Sequence, residues 1–173
     1  MPCSRDGLNQ SLWPHIMYQL EVKRWLVAHL FPATEGWEVT VDIDPMERGA
    51  AGRHPPDKRG IASECEAWLR RQGVSIVAHP LYGRADLVAK KEGHGTVVIE
   101  VEGDSSRQRE QAVYSALGQI VLSMSDPSPE ITYGLAFPDS VTWETQLKKI
   151  PLRVRDALNL SLLLVSETGV RKL

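Results

Sequence analysis

Two carboxylates in phase on an otherwise apolar strand restrict this chain more than any other feature. Val97–Glu102 reads VVIEVE, and Asp86–Lys91 before it reads DLVAKK. Two Val- and Ile-rich runs joined by the Gly-containing turn at 92–96 predict a β-hairpin. Alternation along a strand puts Glu100 and Glu102 on one face with Val98, while Val97, Ile99 and Val101 fill the other. Carboxylates placed this way repel each other and resist desolvation, so something must offset the cost. A divalent cation held between them and Asp86, early in the first strand, is the simplest candidate. The plainer alternative leaves both glutamates facing solvent on a half-covered sheet.

After the hairpin, the stretch 104–124 has helical spacing, and Ser105 followed by Gln108 is set as a capping box. Val113, Leu117, Ile120 and Val121 make its apolar side. Gln111, Ser115, Gly118 and Gln119 form a polar stripe opposite. The chain before the hairpin predicts a helix over 12–31 with Pro14 in its first turn, then a strand over 37–43 with Trp37, Val39, Val41 and Ile43 on one side. Residues 44–60 have no apolar period and read as a long loop. Its Arg48, Arg53, His54, Lys58 and Arg59 are the best basic cluster in the chain, a solvated loop or a phosphate-contacting arm. A short amphipathic helix over 61–72, stopped by Gly73, and a brief strand over 74–78 follow. Beyond the hairpin and its helix come a strand over 131–137, a helix over 141–158 broken near Pro151, and a buried or edge strand over 160–165.

The order places the chain in the mixed α/β class, a single domain with a central mixed β-sheet flanked by helices. Its length of 173 residues suffices for one normal core. A net charge of −2 leaves any contact with nucleic acid to a local basic patch rather than a global field. Cys3 and Cys65 stand in no zinc or disulfide spacing, no run has the length to cross a bilayer, and the start lacks a signal-peptide core; a cytoplasmic protein with no membrane association is expected. The chain carries no P-loop, dinucleotide fingerprint or GxSxG elbow, and its histidines lack metal-ligand spacing.

Asp86, a turn, then Glu100-Val101-Glu102 resembles the signature of the PD-(D/E)XK nuclease superfamily, with Glu102 where that family usually has lysine. An acid–x–acid version occurs among some restriction endonucleases of the superfamily. The ALGQ at Ala116–Gln119 is similar to a stretch in other relatives. The resemblance covers about residues 60–137 and implies a restriction-endonuclease-like core in the order helix, strand, Asp-bearing strand, acid-bearing strand, helix, strand, led by the helix over 61–72. It implies a Mg²⁺-dependent phosphodiesterase acting on DNA, with Mn²⁺ as the alternative ion. Asp86 and Glu100 are then the metal ligands, and the first core helix adds an acid: Glu64 is carried over, with Glu66 and Glu21 as the other candidates. Glu102 cannot act as the usual lysine does; it is left to accept the attacking water's proton or to ligate a second ion. Gln119 joins the catalytic set, and Arg84, Arg107, Arg109 and Gln111 are expected to bind substrate. Lys90 shares a face with Asp86 but lies about 13 Å along the strand; its flexible stem could still reach the ion, and a solvated strand end is the plainer reading. A homodimer is a further expectation, although no dimer seam is legible. The rival reading is a nuclease-like fold without catalysis that binds nucleic acid or protein, fed by the missing lysine. A third has the acids binding a cation for structure alone.

Overall fold

The computed structural model describes residues 16–50, 54–105, 108–124 and 128–173. The first helix, α1 (Gln19–Leu30), starts later than the predicted 12–31; Trp13 and Pro14 lie outside the described residues. Glu21 Oε2 accepts the Tyr18 N–H at 2.8 Å, filling one of the helix's open donors. Pro32 follows its C-cap Phe31, and after a 3₁₀ turn over Ala33–Glu35 the chain turns through Gly36 at φ 87° into β1 (Glu38–Val41). Val39, Val41 and Ile43 are buried in phase, as the alternation predicts.

The long loop gives way to α2 (Lys58–Arg71), earlier than expected, and β2 shrinks to Ser75–Ile76. The hairpin is formed by β3 (Leu87–Lys91) and β4 (Gly95–Val101), antiparallel with Leu87 opposite Ile99 and Lys91 opposite Gly95. The next helix is α3 (Arg109–Leu122), with Gln108 rather than Ser105 at its N-cap and no side-chain bond capping the helix there, so the predicted capping box does not form. Asp104, just upstream, accepts the Met17 N–H, Arg109 and the Trp143 indole N–H instead. The strand β5 (Ile131–Pro138), the pair α4 (Val141–Leu147) and α5 (Leu152–Ala157) on either side of Pro151, and β6 (Leu160–Ser166) match the prediction. A last strand, β7 (Gly169–Lys172), is not foreseen; it pairs antiparallel with β6 at the sheet edge.

All strands join one mixed sheet of 7 in the order β2-β1-β3-β4-β5-β6-β7. The runs β1-β3-β4 are antiparallel, and β4-β5-β6 are parallel. One face buries Leu20, Leu26, Leu69, Leu87, Ile99 and Val165 under α1 and α2. The other buries Val98, Ile120, Leu135, Phe137, Trp143 and Leu164 under α3 and α4. Glycine matters where α1 meets the sheet: a Cβ on Gly103 would meet the Gln19 backbone nitrogen, so only a bare backbone lets the end of β4 approach the start of that helix.

The expected order of elements is present with a different leader. β3 pairs with β1 over Glu38↔Lys90 to Val41↔Leu87, and β2 sits outside β1 as a short parallel edge. The segment over 61–78 therefore does not supply the helix and strand beside the Asp86 hairpin; α1 and β1 do. The reason is burial: β1 offers two fully alternating apolar residues to an interior position, whereas β2 offers only the half-buried Ile76. Among the described residues, no helix is long and apolar enough to cross a membrane.

Candidate active site

Glu100 follows Val98 on the α3 face of β4, between Ile99 and Val101 on the other face. Val98 belongs to the α3 side, Ile99 and Val101 to the α1 side, and Glu100 is only 4% exposed. Asp86 sits one residue before β3, where its carbonyl accepts the Asp42 N–H at 3.1 Å. Its carboxylate turns toward β4: Oδ2 accepts the Val101 N–H at 2.8 Å, and Glu100 shares a hydrogen bond with it. Asp86, Glu100, Val101 and Glu102 line one cavity of about 300 Å³ at this end of the sheet.

Three residues that sequence reasoning missed complete the cluster. Lys23, on α1, is fully buried, with Nζ 2.7 Å from Asp86 Oδ1, 2.8 Å from Glu47 Oε1 and 2.6 Å from the Asp42 carbonyl oxygen. Those three acceptors use all three ammonium donors. Gln19, one turn earlier, donates to Asp86 Oδ1 at 3.1 Å. Glu47 comes from the loop after β1, where its N–H bonds Asp44 Oδ1 at 2.8 Å; its Oε2 is buried without a hydrogen-bond partner among the described residues. A signal for Lys23 exists in hindsight. It lies at helical spacing from Leu20, Leu26 and Val27, so a charge sits on the buried stripe of α1.

Four carboxyl groups thus share the neighbourhood of one ammonium. Burial, then the adjacent Asp86 carboxylate, pushes Glu100 up from the ordinary glutamate value to about 9. The same two causes raise Glu102 to about 7. Burial raises Glu47 to about 7 even though Lys23 opposes it. For Lys23 burial works to lower the value, but Asp86 and Glu47 together outweigh it and hold the ammonium above its usual range. Acids that retain protons near neutrality are short of positive charge. Among the described residues, no three His, Cys, Asp or Glu side chains stand ready-grouped about a metal position.

The remaining expected residues divide. Gln119 reaches the cavity wall from α3, and Arg84 stands exposed on the same wall with Nε 3.5 Å from Asp42 Oδ2. Gln111 is exposed on α3 and does not line the cavity. Arg109 is committed elsewhere, 3.0 Å from Asp104 Oδ1 and stacked 4.6 Å from the centre of the Trp143 ring. Arg107 lies outside the described residues. Glu64 is exposed on α2 and absent from the cavity lining, because α2 packs on α1 rather than beside β3 and β4. Glu66 is occupied by Arg48 and Arg70, and Glu21 by the start of its own helix. The described members of the basic loop stand in different surroundings. Arg48 pairs with Glu66, Lys58 is buried at the start of α2, Arg59 is exposed, and Arg53 lies outside the described residues. Lys90 is exposed at its strand end. Comparison with family models, with curated proteins and with solved structures finds no match to this chain.

Proposed function

We propose that the cavity at Asp86 is the active site of a divalent-cation-dependent phosphodiesterase acting on DNA. The observation that carries this reading is the excess of carboxyl groups over buried cations among the described residues: buried Asp86, Glu47 and Glu100 and half-buried Glu102 around Lys23, with the exposed Arg84 on the wall held by Asp42. All donors are hard oxygens, which suits Mg²⁺ or Mn²⁺. Glu47 Oε2, buried and without a partner among the described residues, is an acceptor open to a cation. Asp86 and Glu100 would hold the ion, with the Val101 carbonyl beside them, and binding would displace the proton that burial keeps on Glu100. A bound ion supplies Lewis-acid polarisation of the phosphate ester.

The chain's own residues do the rest. Glu102, with a value near 7, accepts a proton from the attacking water as general base. Lys23 fixes the orientation of Asp86 through Oδ1 and brings to the site, from α1, the positive charge that the superfamily's motif carries in the strand. Arg84 and Gln119 at the cavity wall are the groups placed to meet phosphate oxygens. DNA as the substrate class is supported by the order of acids that resembles the nuclease superfamily.

Supercoiled plasmid incubated with Mg²⁺ or Mn²⁺ tests the reading. Nicking that needs the ion and disappears in Glu100→Gln is expected. Intact plasmid with both ions, or cleavage unchanged in the variant, would overturn it. A second reading, a fold that binds nucleic acid or protein without cutting, draws on the engagement of both Asp86 oxygens by Lys23, Gln19 and the Val101 N–H. Ion binding by calorimetry without cleavage is its signature.

A further inference from the structure

A larger cavity of about 580 Å³ adjoins the acid cavity, and Gln19, Asp44 and Glu47 line both. His54, Pro55 and Lys58 also line it. Lys58 is the first residue of a helix of 14, so the positive end of α2 opens here. The lysine itself is only 9% exposed. Its Nζ has one polar contact among the described residues, His54 Nδ1 at 3.4 Å, and lies 5.8 Å from the centre of the Tyr18 ring. No carboxylate of the described residues comes within ion-pair distance of it.

The acids nearby are already engaged. Lys23 holds Glu47, the Glu47 N–H holds Asp44, and the Tyr18 hydroxyl holds Asp57. Asp104 accepts the Met17 N–H, Arg109 and the Trp143 indole. A buried ammonium at a helix start, facing a roomy cavity and with no carboxylate of the described residues in ion-pair range, is a site for an anion.

We propose that Lys58 and the start of α2 form a subsite for a backbone phosphate of nucleic acid, adjacent along the strand to the phosphate in the acid cavity. The assignment rests on the hydrolase reading for its choice of ligand. A phosphodiester fits better than a free phosphate because the two cavities share a wall, so one strand passes from one into the other.

Binding of a short fluorescein-labelled DNA duplex at increasing salt tests the subsite, with Ca²⁺ as the added cation. Lys58→Met, which keeps the stem over Tyr18, is expected to weaken binding about tenfold and to make the slope of log K against log salt shallower by about one unit. Lys58→Arg should retain the wild-type slope. Lys58→Gln carries the same test if the methionine variant does not fold, with thermal melting as the check. A folded variant with an unchanged slope overturns the subsite even where wild-type protein cuts plasmid. A Lys58-dependent slope in a protein that cuts nothing keeps the subsite and overturns the hydrolase. Inorganic phosphate competing as effectively as DNA would overturn the phosphodiester assignment.

Discussion

Lys23 and Arg171 each stand between two carboxylates, and almost everything else about the two clusters differs. Lys23 bridges Asp86 and Glu47 with no exposure. Arg171, on the edge strand β7, bridges Asp139 and Glu144 at 2.9 and 2.7 Å with 46% of its side chain exposed. At the edge, hydrogen bonds from Lys148 and Arg171 hold Glu144 below the ordinary glutamate value. In the cavity, burial drives Glu47, Glu100 and Glu102 the other way. A basic side chain between an aspartate and a glutamate thus makes a solvated tether in one place and a charge-starved site in the other. Desolvation, not the count of ion pairs, separates them.

The largest way to break this contrast is Lys23→Met. Removing the ammonium leaves Asp86 and Glu47 buried without their cation, a change that costs about 3–5 kcal/mol in denaturant unfolding. A midpoint unchanged from wild type would show that the buried pair carries no such charge.

A smaller effect comes from pH. The folded chain keeps a proton on Glu100 up to about 9 and on Glu102 up to about 7, whereas the unfolded chain releases both near 4.5. Between those values the folded state binds more protons than the unfolded one, so stability falls as pH rises through the window. Melting midpoints measured in EDTA should decline from mildly acidic to alkaline pH, and Glu100→Gln should flatten the decline. A wild-type profile that rises with pH would reverse the assignment of these acids. The smallest effect is expected at the other cluster. Arg171→Ala should leave the melting midpoint within experimental scatter at moderate salt, and a clear drop would mean that the edge pair is more than a tether.

Local pattern carried the hairpin well. Residue parity decides which face Glu100 takes: Val97, Ile99 and Val101 go one way, and Val98 and Glu100 the other. The stops at Gly73 and Pro151 were legible for a similar reason, since a left-handed turn or a missing N–H acts within a few residues. β7 was not: four residues of mixed polarity say little until β6 is beside them.

What the sequence by itself determined is the mixed α/β class, the acid-bearing strand and the phase of its two glutamates. Tertiary structure alone decided that β1 rather than β2 lies against β3, and that Lys23, Gln19 and Glu47 arrive at Asp86. Each of those contacts joins residues far apart in the chain, and no short-range period encodes them. They exist because packing α1 and α2 over one face of the sheet brings the start of α1, the loop after β1 and the ends of the hairpin to the same place.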